Sequence, residues 1–427
     1  MLYECWRLIA RNHADQIALC DFDSGRQWTF HELALATERA ERTGERFAFP
    51  QGMSAEFVFA VLQAWRGGRI VCPLELDQER PEIGSGLPAG IVHLKTTSAT
   101  AGQPRMVAFT ADQLMADAYN IVGTMGLRPD WPNIGVVSLA HSYGFSNLVL
   151  PLLLHGVPLI VVGAPLPELI RRAAATAKAA TLAGVPALWR SWHDADAIPA
   201  NVRLAISAGA PLPLALEQGV FATRGLKIHN FYGSSECGGI AYDAGAGPRT
   251  DASCAGAAMR NVEVSIGEQR CLQVSSRAVG RTYWPESDPN LGNGMFRTTD
   301  VAEISHGLVY LRGRISDQIN VAGRKVSPET IEKVLLNHPV VRECLVFGVP
   351  GSDSRRGETI VACVVAGTKV SGETLKQFLL TRLPAWQVPR EWWMVESLSA
   401  NERGKISRAD WRKRYREAVG NGREESV

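Results

Sequence analysis

From Ile17 to Glu236, short apolar runs alternate with helical stretches, and this alternation is the feature that most restricts the fold. "IALCDF" precedes "WTFHELALATERAE", where Thr29 and Glu32 make a capping box and Leu33, Ala36 and Ala40 recur at helical spacing. "FVFAVLQAWRGGRIVCPL" predicts a buried helix, a Gly67-Gly68 turn and a strand. The order repeats in "LPELIRRAAATAKAATLAGVP" and in "VRLAISAGAPLPLALEQGVFATRGLKIHNFYGSSE". Continuous apolar strands separated by helices predict an α/β domain of mostly parallel sheets flanked by helices.

The texture changes near residue 250. "VEVSIGEQRCLQVSSRA" and "VAEISHGLVYLRGRI" alternate with period two between turn residues, which predicts a small antiparallel, β-barrel-like subdomain. After "GRISDQINVAGRKV" an α+β pattern returns. Ser327 as N-cap and Pro328 at N1 open a helix with Ile331, Val334 and Leu335 inward. The expected division is a large N-terminal domain, residues 1–314, and a small α+β domain, residues 315–427. A chain of 427 residues has room for both.

A formal net charge of +2 supplies no general attraction to nucleic acid or anionic membrane, so neither is expected as a partner. The 8 cysteines are scattered without a CxxC pair or a Cys/His ligand spacing, which suits a reducing, cytoplasmic setting. No apolar signal segment is visible at the N-terminus. The most apolar run, "NLVLPLLLHGVPLIVVGAPL", is broken by His155, Gly156 and Pro158 into a buried helix and a strand, each too short to span a bilayer.

Three strands end in Gly-rich turns of the kind that present backbone N–H groups to phosphate: "TTSATAGQPRMV", "ISAGAPL" and "NFYGSSECGG". The first is no Walker A loop, because GxxxxGK[ST] is absent. With "GMFRTTD", "GRISDQINVAGRKVSPETIE" and "NERGKISR" they stand in an order that resembles the adenylate-forming (AMP-binding) superfamily of acyl-CoA synthetases, luciferases and peptide-synthetase adenylation domains. The resemblance runs from the Thr29 helix to Arg408.

The resemblance implies ATP-dependent activation of a carboxylic acid to an acyl-adenylate, release of pyrophosphate, and thioester formation with coenzyme A. Two alternatives stay open: transfer to a carrier-protein phosphopantetheine, and a non-catalytic homologue that binds nucleotide or acyl-adenylate. Bringing a carboxylate to the α-phosphate joins two anions, so cations, Mg²⁺ and oriented donors matter more than an acid or base. Glu236, the carboxylate of "YGSSE", is the expected Mg²⁺ ligand; a solvent-facing turn Glu is the competing reading. ATP would be bound by Thr97, Ser98, Thr100, Gly102 and Arg105 of the phosphate loop. Gly209, Ala210, Pro211, Asn230, Phe231, Tyr232, Gly233, Ser234 and Ser235 would surround the nucleotide, and Asp300 would hold the ribose. A core aromatic is an equal reading of Tyr232. Arg314 would assist beside the hinge, and Lys405, carried by the mobile C-terminal domain, would reach the reacting carboxylate and α-phosphate as a point cation.

The resemblance also places the acyl pocket at His141, Tyr143, Phe145, Gly238 and Gly239. "SLAHSYGFSNL" has no carboxylate where amino-acid-activating relatives hold an ammonium, which implies a fatty or aryl acid. For His141 a satisfied core histidine competes with an aromatic gate. Gly323, Arg324 and Lys325 would line the CoA channel, or be a solvated turn. Several positions depart from the family pattern. The hinge carries Ser316 with Asp317 following, the N-terminal region is expected to be abbreviated, and a homodimer is left open. The phosphate loop has Ala99, Ala101, Gln103 and Met106 at family Gly, hydroxyl, Lys and Gly positions. Ala for Gly narrows the allowed backbone, which predicts weak ATP affinity rather than inactivity.

Overall fold

The computed structural model describes residues 1–84, 86–96, 105–350, 357–398 and 407–424, with backbone only for 420–424. Its contacts divide the chain into two compact units. The first comprises Met1–Ser265, Gln273–Thr298 and Ile304–Tyr310, and the second Ile266–Leu272, Thr299–Glu303 and Leu311–Val427.

In the first unit the larger sheet runs Cys254–Ala258, Gly238–Tyr242, Ile228–Ser234, Val202–Ser207, Ala180–Gly184, Asn133–Gly135, Leu159–Val161, Ile17–Asp21 and Arg26–Thr29. The six strands from Ile228–Ser234 to Ile17–Asp21 are parallel. They are apolar because helices cover them: Ala180–Gly184 is buried at every position. The helices Pro167–Ala174, Pro186–Asp194 and Leu214–Arg224 close one core over them with Ile170, Trp189, Trp192, Leu216 and Val220. The strands beyond Ile228–Ser234 turn antiparallel, Gly238–Tyr242 first and Cys254–Ala258 next, so the antiparallel region expected near residue 250 extends the same sheet.

A second sheet orders Thr282–Trp284, Met106–Thr110, Ile91–Thr96, Ile70–Val71 and Phe47–Ala48. Its helix Ala55–Gly67 ends on Gly68 in the left-handed conformation (φ 68°), a cap that disfavours other residues. The Thr29 capping box forms as read: Glu32 N donates to Thr29 Oγ1 at 3.1 Å and Thr29 N to Glu32 Oε2 at 2.8 Å.

The second unit centres on the strands Val341–Pro350, Glu358–Ala366 and Glu391–Met394. Alternate residues serve opposite faces. Val346, Ile360, Ala362 and Val364 pack with Ile331, Leu335, Leu375 and Leu379 from the helices Pro328–Leu335 and Gly372–Leu380. Phe347, Val361 and Cys363 pack with Trp411. Among the described residues no helix is long and apolar enough to cross a membrane.

Candidate active site

The strands Val202–Ser207 and Ile228–Ser234 pair in parallel, with Ser207 opposite Asn230, so the turns that follow them leave the same edge of the sheet. Gly209 takes φ +85° there, and Gly209 and Pro211 are exposed. This loop is held from beneath. Arg249 donates to Leu212 O at 2.7 Å and Cys254 O at 2.8 Å, and its Nε meets Glu217 Oε2 at 2.9 Å. Glu217 is fully buried and also pairs with Lys227, which reaches Asp243. Asn230 donates to Cys254 O at 3.2 Å, fixing the strand that carries Phe231 and Tyr232.

Gly233, Ser234 and Ser235 lead into Glu236, which is half-buried. Glu236 Oε1 accepts from Tyr283 Oη at 3.0 Å. Burial, and then the charge of Glu236, push the Tyr283 phenol up, so it remains the donor. Arg105 lies over the same ring, 5.1 Å from its centroid, and pairs with Asp288 at 3.0 Å. The motif carboxylate and the basic residue ending the expected phosphate loop thus meet on one tyrosine. A single carboxylate beside Ser234 and Ser235 suits Mg²⁺, which takes one or two carboxylates and fills its octahedron with phosphate oxygens and water. Among the described residues no cluster of three or more His, Cys, Asp or Glu could hold a metal by itself.

At the expected acyl pocket, His141 Nε2 is 3.5 Å from Glu75 Oε1, which also accepts from Ser138 Oγ at 2.8 Å. Tyr143 Oη lies 3.4 Å from Gly184 O, and its ring is 5.9 Å from Phe231. Phe145 is fully buried, its ring centroid 4.4 Å from His93 and 6.5 Å from Phe57. Gly238 and Gly239 begin a buried strand. Gly239 N donates to Asp117 Oδ1 at 3.3 Å. Gly238 has φ +70°, and a Cβ there would stand 1.9 Å from Asp117 Oδ1, so both space and backbone demand glycine.

The second unit holds two further sets. Arg314 Nε donates to Asp300 Oδ1 at 2.8 Å, bringing the expected ribose ligand and its neighbouring cation together. Ala322 and Gly323, at φ 51° and 83°, turn the hairpin between Ile319–Val321 and Arg324–Val326. Arg324 and Lys325 are exposed on it, with Arg324 over the Trp386 ring at 5.6 Å. Thr97, Ser98, Thr100, Gly102 and Lys405 lie outside the described residues.

The sequence reading missed Tyr283, Glu75, Glu217 and Asp117. The last two had a signal: each lies on the inward face of its helix, Glu217 beside Leu216 and Val220, Asp117 between Leu114 and Ala118. An acid on an apolar face requires a partner.

Residues 87–283 match the AMP-binding enzyme family, and residues 330–405 match the AMP-binding enzyme C-terminal domain. A feruloyl-CoA synthase of Amycolatopsis sp is 29% identical over 364 residues, covering 79% of this chain and 72% of that protein. A fatty acid–[acyl-carrier-protein] ligase, ScoC, of Streptomyces coeruleorubidus is 38% identical over 157 residues, 35% of this chain and 29% of its own. The solved structure of ATP-bound MatB from Rhodopseudomonas palustris superposes with a TM-score of 0.83 at 21% identity, covering 97% of this chain and 99% of MatB.

Proposed function

The chain belongs to the adenylate-forming, AMP-binding enzymes, and on that premise we propose that it is an AMP-forming acid–CoA ligase. A carboxylate oxygen attacks the α-phosphorus of ATP and pyrophosphate leaves. The thiol of CoA then attacks the acyl carbon, AMP leaves, and the thiol proton passes to solvent. The observation that carries the reading is the Glu236–Tyr283–Arg105 arrangement, an anion and a cation held on one ring where triphosphate would lie. Mg²⁺, when bound by Glu236, supplies charge neutralisation for the departing pyrophosphate.

The chain's own residues do the rest. The Glu217–Arg249–Leu212 contacts hold the loop of Gly209, Ala210 and Pro211 against the adenine, and Asp300 with Arg314 orients the ribose. Residues 315–427 carry Lys405 to the reacting carboxylate, where a flexible ammonium neutralises charge without needing fixed geometry. His141, Tyr143, Phe145, Gly238 and Gly239 receive the acyl chain. Glu75 and Asp117 lie beside this set, but each is already engaged, Glu75 by Ser138 and His141, Asp117 by Ser146 and Gly239. Among the described residues beside this set no acid is left over for a substrate ammonium, which supports a fatty or aryl acid. The Gly323–Lys325 hairpin then flanks CoA, and the scattered cysteines suit the cytoplasm, where CoA and ATP are available.

ATP–pyrophosphate exchange over a panel of fatty and aryl acids tests the first half-reaction, and thioester formation with CoA or a purified carrier protein tests the second. Acyl transfer to the carrier alone would favour the second reading, which the ScoC match supports over 157 residues. Exchange with no acid would leave only the non-catalytic homologue.

A further inference from the structure

The strand Ile91–Thr96 sends two polar side chains into the interior on one face, His93 (0% exposed) and Lys95 (4%). The Lys95 ammonium has three N–H donors. Among the described residues it has one acceptor within hydrogen-bond distance, Ser146 Oγ at 3.2 Å. Asp117 Oδ2, at 3.6 Å, makes an ion-pair contact, and the Phe109 ring lies 4.6 Å below. Among the described residues neither ring nitrogen of His93 has a hydrogen-bond partner. Asp117 is the better-satisfied member, accepting from Ser146 Oγ at 2.6 Å and Gly239 N at 3.3 Å. Among the described residues, donor capacity on Lys95 and both nitrogens of His93 are therefore unmet in the interior, a cost that a bound polar group would relieve.

The place of this cluster says what that group belongs to. It touches Phe145 through His93, and Gly238 and Gly239 through Asp117, three of the five residues given to the acyl pocket. Its charge says what the group is. Lys95 and Asp117 already balance, so a second carboxylate would leave a buried negative charge uncompensated. A hydroxyl adds no charge, and it can accept from an ammonium and donate to an imidazole nitrogen. Resting on the acid-activation reading above, we propose that Lys95, with His93, determines specificity by binding a hydroxyl of the acid. The substrate class is then hydroxyl-bearing acids.

The test compares kcat/KM in ATP–pyrophosphate exchange for matched pairs: para-hydroxybenzoate and benzoate, para-hydroxycinnamate and cinnamate, omega-hydroxydodecanoate and dodecanoate. The wild type should prefer the hydroxylated member of at least one pair by about tenfold or more, since a site built for a hydroxyl rejects its absence strongly. Lys95→Met should remove that preference while leaving the plain acid within about threefold, on the same principle of an unpaired polar group. Because Lys95→Met strands Asp117, the double variant Lys95→Met/Asp117→Asn is measured beside it. The amide oxygen can still accept from Gly239 N while the amide NH2 donates to Ser146 Oγ, so this variant should fold and show the same lost preference. Equal kcat/KM for both members of every pair in the wild type overturns the inference and leaves the ligase reading standing, as does an equal loss for both members in the double variant. Exchange with no acid at all overturns both.

Discussion

Arg408 offers the sharpest quantitative test of how the second unit is held together. Its Nη1 lies 3.0 Å from Asp317 Oδ2 and 2.9 Å from Glu329 Oε1, and its Nη2 lies 2.7 Å from Glu332 Oε2. Nε donates to Val346 O at 3.1 Å. The side chains of Arg408 and Glu332 are only 19% and 14% exposed, so solvent screens the pair poorly. Burial alone would ease the proton from Arg408, but Glu332, Glu329 and Asp317 outweigh it and keep the guanidinium charged. For Glu332 burial dominates and raises its pKa, with Arg408 offsetting only part.

Arg408→Met keeps the aliphatic volume and removes the guanidinium on which three acids converge. Breaking a buried pair from one side costs about 3–5 kcal/mol, because the remaining charge is stranded. Glu332→Gln should cost less, about 1 kcal/mol, since Asp317 and Glu329 still face Arg408 and an amide can accept from Val346 N. In the double variant the two losses should fall short of additivity by about 2 kcal/mol, the coupling expected of charges in direct contact. Hydrogen exchange of the strands Val341–Pro350 and Glu358–Ala366 reads this unit without the other. At about 1.4 kcal/mol per decade, Arg408→Met should speed exchange there by about two to three and a half orders of magnitude. The penalty should shrink as pH falls and the stranded carboxyls take protons. An acceleration below about fivefold, or strict additivity with Glu332→Gln, would refute the account and make the cluster a screened surface network of the kind worth under about 1 kcal/mol.

Four shorter predictions concern the site. Lys405→Ala should nearly abolish pyrophosphate exchange while ATP binding by calorimetry changes little; an equal loss of binding would give the lysine a structural role instead. Ala99→Gly should lower the ATP Michaelis constant, and an ordinary wild-type value that this change does not improve would remove the case for a weakened phosphate loop. Tyr283→Phe should reduce kcat/KM for MgATP by about tenfold or more, because Glu236 loses the donor that orients it, and should lower the melting temperature by about a few degrees, since this charge-directed hydrogen bond, worth roughly 1.5–3 kcal/mol, is already made in the free protein. His93 is held well below 6.5 by burial, then by Lys95, so its depressed folded-state pKa contributes stability that is present above pH 6.5 and lost as pH falls below it. That limb should have a slope approaching 1.4 kcal/mol per pH unit, and His93→Phe should flatten it in chemical denaturation run between pH 7 and 5; an unchanged slope would mean His93 is protonated in the folded protein.

What could be read from residue order, and what could not, divides by range. Thr29 and Glu32 are three apart, so their capping box is written locally, and Pro328 marks its helix start for the same reason. Periodicity then says which face of each element is inside, and that sufficed for the layered α/β unit and for the two-faced sheet around Val346 and Phe347. It does not say which distant element supplies a partner. Tyr283 meets Glu236 across 47 residues because Thr282–Trp284 joins the other sheet beside Met106–Thr110, a pairing no local pattern announces. Lys95 and Asp117 are the instructive middle case. Each breaks an apolar face that the pattern itself defines, "IVHLKT" in a strand and Leu114-to-Ala118 in a helix. Two opposite charges stranded on inward faces should be sought as partners of one another, since neither can be buried alone. The same rule joins Glu217 to Lys227 and Arg249. Misplaced charges therefore carry long-range information that a hydrophobic pattern lacks. In this chain they lie beneath the loop of Gly209 to Pro211 and beside Phe145, Gly238 and Gly239, the places proposed for adenine and acyl chain, where an exact local geometry is worth the cost of burying them.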